Sequence, residues 1–80
     1  MRYNYSKLLG RMKERGVTQE QLAKEIGKNE ATLNMKLNNK FQFKADEMDA
    51  ICKALDIPNI EMGEYFFCTD SLENQTNGTL

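Results

Sequence analysis

Two helix starts stand eleven residues apart in this chain, at Thr18 and Asn29. No other feature constrains the fold as much. Thr18-Gln19-Glu20-Gln21 has the form of a capping box, with Thr18 as N-cap and Gln21 reaching back to it. Val17 and Leu22 occupy the two positions of a hydrophobic staple. Leu22 and Ile26 give this helix a buried stripe, and Gly27 fits the left-handed stop that ends it. Only Lys28 then intervenes before Asn29, a good N-cap for a helix from Glu30 to about Leu37 with Leu33 and Leu37 facing inward. Two helices joined by one glycine-centred turn cannot run collinear, so they must cross steeply. Ala23 is small where they come closest, and Gly27 supplies the positive φ of the turn.

The rest of the chain also reads as helix. Tyr5, Leu8, Leu9 and Met12 form one stripe of a first helix from about Ser6 to Arg15, with Asn4 able to cap it and Gly16 placed to stop it. Asn38-Asn39-Lys40 breaks the pattern with turn-forming residues, and Phe41 and Phe43 alternate across an irregular loop as lids on the core. Met48, Ile51, Cys52 and Leu55 stripe a fourth helix from about Ala45 to Leu55, whose first turn carries Asp46 and Glu47 at the positive end of its dipole. Pro58 discourages helix at Ile57, and a short fifth helix spans about Glu61 to Phe66. The expectation is an all-α domain of five short helices over residues 1–68, with no strand. Residues 69–80, with only two leucines as large apolar residues, are expected to be a flexible tail.

Eighty residues suffice for one small domain. At 29% charged and 40% apolar residues, with a mean hydropathy of −0.68, the composition is globular and leaves no stretch of about 20 apolar residues to span a membrane. No secretory leader is read at its start, so the expected compartment is the cytoplasm. Cys52 and Cys68 are too few for a disulfide framework or a four-cysteine zinc site, and histidine is absent, which removes the commonest general base and metal ligand. The expectation is therefore a protein that is no enzyme, with no cofactor, metal or small-molecule substrate. The net charge of −1 conceals a division, because residues 1–44 carry +6 and residues 45–80 carry −7. Such asymmetry fits a nucleic-acid-binding surface opposed by an acidic remainder, or equally two solvated faces of opposite sign.

The segment Val17-Thr18-Gln19-Glu20-Gln21-Leu22-Ala23-Lys24-Glu25-Ile26-Gly27, followed by Ala31-Thr32-Leu33 and Leu55-Asp56-Ile57, resembles the phage repressor and Cro family of lambda-repressor-like helix-turn-helix domains. The resemblance covers roughly residues 5 to 67. It implies a compact five-helix domain with the helix-turn-helix at the second and third helices, and a third helix that enters the major groove of operator DNA. It also implies a phage-type transcriptional repressor in a bacterial cell, encoded by phage or host. The chain departs from the family pattern at Lys36, where an apolar residue is usual; Leu37 fills that place if the Lys36 stem runs along the surface to a phosphate.

With about 100° per residue and Leu33 and Leu37 inward, Ala31, Asn34 and Met35 point away from the core and Thr32 lies on the flank. Glu30 opens the helix and reaches the groove with its tip. These five are the candidate base readers: Asn binds adenine, Glu accepts from cytosine, and Ala, Thr or Met touch a thymine methyl. The alternative is that these are simply the solvent face of a helix, but an exposed Met is an odd choice there, which favours base reading by Asn34 and Met35; Glu30 is also good first-turn chemistry. The candidate phosphate contacts are Gln19, Lys28, Asn29, Lys36, Asn38, Asn39, Lys40 and Lys44, of which Asn29 doubles as an N-cap. One domain of this size offers few base contacts, so a homodimer on an inverted repeat is expected. The alternative is a protein-interaction module, antitoxin- or adaptor-like, that keeps the fold without reading bases. In that reading the acidic second half and Tyr65-Phe66-Phe67 serve the partner.

Overall fold

The structure is a computed structural model that describes residues 2–69. Among these residues it has five α-helices: α1 (Ser6–Arg15), α2 (Gln19–Glu25), α3 (Glu30–Leu37), α4 (Ala45–Ala54) and α5 (Met62–Phe66), the last preceded by a 3-10 turn at Asn59–Glu61. The all-α expectation holds. The capping box forms in full, with Gln21 N–H donating to Thr18 Oγ1 at 3.1 Å and Thr18 N–H donating to Gln21 Oε1 at 2.9 Å. Asn29 caps α3 by accepting the Thr32 N–H at 2.8 Å. Asn4 stands one residue ahead of the N-cap Tyr5, yet its Oδ1 still accepts the Ser6 N–H at 2.9 Å.

Four helices end on the same device, a left-handed residue followed by an N–H that bonds back five positions. Gly16 (φ +68°) and Gly27 (φ +73°) serve α1 and α2, with Val17 N–H on Met12 O and Lys28 N–H on Ala23 O. Asn39 (φ +65°) and Asp56 (φ +57°) do the same for α3 and α4, with Lys40 N–H on Met35 O and Ile57 N–H on Cys52 O. Asn and Asp tolerate this region where other side-chain-bearing residues strain. The Arg11 guanidinium secures the end of α4 by donating to Leu55 O at 3.0 Å and Asp56 O at 2.6 Å.

Leu8 and Met12 of α1, Leu22 and Ala23 of α2, Leu33 and Leu37 of α3, and Ile51 and Cys52 of α4 meet in one core. Tyr5, Phe43 and Phe66 add an edge-to-face aromatic row, with centroids 5.4 and 5.3 Å apart. Several expectations need correction. Leu9 is exposed, because Leu8 and Met12 already fill the inward face of α1. Phe43 is a lid on the core but Phe41 is not, being 57% exposed. Ile26 and Met48 pack only partly buried against the core. Of the apolar cluster assigned to a partner, Tyr65 and Phe66 are buried in this protein's own core, and Phe67 alone remains exposed.

The chain ends meet. Tyr3 and Thr69 form an isolated antiparallel bridge, and Asn4 N–H donates to Cys68 O at 2.7 Å. Thr69 is buried, so the expected tail does not begin there; its remaining residues, 70–80, lie outside the described residues. Asn39 clasps Tyr3 as well, its Oδ1 accepting Tyr3 N–H at 2.8 Å and its Nδ2 donating to Tyr3 O at 3.0 Å. Asn39→Ala is expected to cost about 2–3 kcal/mol, since it loses both bonds and strains a left-handed residue. Asn39→Gly should recover the backbone part alone. Urea melts of the two variants check this, and equal midpoints for Ala and Gly would refute it.

Candidate functional site

The outward side of α3 presents Glu30, Ala31, Asn34 and Met35, all exposed, while Thr32 is half-buried on the flank. A ladder of amides braces this face. Gln19 Oε1, on the first residue of α2, accepts from Asn34 Nδ2 at 3.1 Å, and Asn38 Nδ2 donates to Asn34 Oδ1 at 3.1 Å and to Asn34 O at 2.9 Å. The Asn34 amide is thus held from both neighbours, on α2 and one turn on. Met35 stands beside it, 38% exposed, an apolar and pliable centre between polar neighbours.

Behind α3 lies a buried charge cluster that sequence reasoning missed. Lys36 is only 7% exposed and Glu47 only 3%. The Lys36 ammonium bridges both carboxylate oxygens of Glu47, at 2.5 and 2.6 Å. Lys44 N–H donates to Glu47 Oε1 at 2.8 Å, capping the first turn of α4, and Lys28 Nζ stands 3.5 Å from Oε2. Burial pushes the Glu47 carboxyl up, but the bonds from Lys36, Lys44 and Lys28 outweigh it and hold its pKa below the ordinary glutamate value. The available signal was Lys36 itself, a cation at an inward position that demands a buried acid.

The direction of that shift fixes a pH dependence. A carboxyl with a lowered folded pKa adds stability that is present above its unfolded pKa and lost as pH falls through the folded one. The protein should therefore lose Tm on acidification below the ordinary glutamate range. Lys36→Met/Glu47→Leu, which lacks the group, should lose less; parallel Tm profiles of the two proteins would refute the assignment.

The candidate phosphate contacts divide accordingly. Gln19 and Asn38 belong to the α3 face, and Asn29 is exposed but spends its oxygen as the N-cap. Lys40 and Lys44 are exposed at its edge. Lys28 is exposed but paired with Glu47. Two assignments are corrected. Lys36 points inward, because its carboxylate partner lies in the core rather than in solvent, and both Asn39 amide atoms are engaged by Tyr3.

The Cys52 thiol is buried, and burial together with nearby Asp49 pushes its pKa up, away from the nucleophilic thiolate. Among the described residues no group of three or more Cys, Asp or Glu side chains gathers to hold a metal, and no helix is long and apolar enough to cross a membrane. A depression of about 570 Å³ opens between the end of α1, α2 and the end of α4 and is lined by Gly16, Val17, Gln21, Lys24, Glu25 and Ala54. It shares no residue with the α3 face.

The fold is similar to the solution structure of the modulator of repression of the temperate bacteriophage TP901-1 from Lactococcus lactis. The TM-score is 0.71 and the identity 37%, over 84% of this chain and 90% of the other. The chain is thus a homologue of a phage regulatory protein. No curated protein matches it. Across residues 1–69, which include every described residue, the chain belongs to the family described as "Protein of unknown function (DUF739)".

Proposed function

We propose that this protein modulates repression in a temperate phage by docking the exposed face of α3 onto a repressor protein. The homologue that is named a modulator of repression supports the regulatory role. The observation that carries the choice of a protein partner is the pairing of Lys28 and Lys36 with Glu47, which removes two of the four lysines assigned to phosphates. Phosphate neutralisation supplies most non-specific DNA affinity, so a face left with two of its four assigned lysines is less well equipped for DNA. Its centre suits a protein instead. Met is enriched and Lys depleted at protein interfaces, and Met35 is flanked by Ala31 and the braced Asn34.

A titration of the protein into the purified repressor of the same phage tests this, beside selection from a random duplex pool. Binding of the repressor with no enriched duplex motif is expected. Met35→Ala should then weaken the complex about tenfold to hundredfold, as truncation of a central anchor does, and leave Tm unchanged. An unaffected complex would remove α3 from the interface.

Direct operator reading is the second proposal, and the Gln19–Asn34 brace favours it. A phosphate-side residue of α2 there steadies a candidate base reader of α3, while Lys40 and Lys44 remain at the edge. It would require a homodimer on half-sites about 10 base pairs apart. An enriched inverted-repeat motif would select this reading over the first.

A further inference from the structure

We infer that Glu47 is the specificity-determining residue of the α3 face, acting from beneath it to keep the face off nucleic acid. The inference rests on the reading that this face serves a protein. Glu47 sits in the first turn of α4 and reaches both ends of α3 at once. Lys28 immediately precedes the α3 N-cap, and Lys36 lies in the last turn of that helix. Oε1 receives Lys36 Nζ and Lys44 N–H, while Oε2 receives Lys36 Nζ and Lys28 Nζ. One carboxylate thereby holds two ammonium groups. Lys36 is buried, whereas the Lys28 side chain is still 38% exposed and pairs with Oε2 at 3.5 Å.

Lys28 is therefore the cation that Glu47 controls. Its stem leaves the α2–α3 turn, next to the N-cap of α3. A phosphate must compete with Glu47 Oε2, 3.5 Å away, for the same ammonium. Without Glu47, Lys28 is free to neutralise a phosphate. Each such contact adds about one unit to the salt dependence of binding.

The decisive variant is Lys36→Met/Glu47→Leu. It replaces the buried pair by apolar side chains of similar volume, a change that folds tolerate, and it leaves the formal net charge at its native value. Of the charged side chains only Lys28 is released; the Lys44 backbone N–H also loses its acceptor. Fluorescence anisotropy with a short random-sequence duplex, across a salt series, is expected to show tighter binding than the native protein. The slope of log K against log salt should steepen by about one unit, so the gain shrinks about threefold for each fourfold rise in salt. Adding Lys28→Met to this variant should return the affinity and slope to native values. A merely structural role for Glu47 would weaken duplex binding or leave it alone. In the native background, Lys28→Met should leave duplex binding unchanged while Lys40→Met weakens it, a comparison that does not need the double variant to fold. A folded double variant with the native slope, a gain that survives Lys28→Met, or equal losses from Lys28→Met and Lys40→Met in the native background would each overturn the inference. The repressor plays no part in these duplex measurements, so failure of the protein-docking reading is scored separately.

Discussion

Lys36→Met alone is expected to destabilise the protein by about 3–5 kcal/mol, because it leaves the Glu47 carboxylate buried with only Lys28 and one backbone N–H. A domain of this size holds a reserve of only about 4–12 kcal/mol, so the loss takes away a large share of it. Glu47→Leu alone should do comparable harm by stranding the Lys36 ammonium in the core. Together the two substitutions should recover most of the loss, since a buried ion pair exchanged for well-packed apolar groups is often neutral or stabilising. The measurement is a double-mutant cycle in urea, in which coupling between residues in direct contact shows as strong non-additivity. Additive losses below about 1 kcal/mol each would mean that the pair is solvated, as surface ion pairs are.

Phe66→Ala is the second large effect. Phe66 is 1% exposed, and its ring packs edge-to-face on Phe43, which in turn packs on Tyr5. Removing it should cost about 3–5 kcal/mol, the sum of lost transfer energy and an unfilled cavity. The damage should spread beyond α5, because the aromatic row links α5 to the α3–α4 loop and to the residue that begins α1. Hydrogen exchange should show α1 and α5 losing protection together; loss confined to α5 would mean that the row is not a cooperative unit.

The α2–α3 boundaries were legible in the chain because they are local. A capping box, a glycine stop and an Asn cap act across three or four residues, so Thr18, Gln21, Gly27 and Asn29 define their helices wherever those helices go. The stops at Asn39 and Asp56 were harder to see, since both residue types also sit in ordinary turns and only the observed φ shows which role they take. The outward set on α3 followed from period and two leucines. Residues bonded across long sequence separations were not legible in that way. Asn39 read as a phosphate contact and proved to clasp Tyr3, a residue 36 positions away.

What the sequence by itself determined is therefore the number and limits of the helices and the direction of the α3 face. Those depend on backbone groups that must be satisfied within a turn or two. What only the tertiary structure decided is which charges that face keeps. Lys36 and Lys28 carry the same formal charge as Lys40; the inward register of Lys36 calls for a buried acid, but nothing near it in the chain names which acid, and nothing sets Lys28 apart. Packing α4 behind α3 brings Glu47 against both, and in a site shielded from water that one carboxylate fixes where they point.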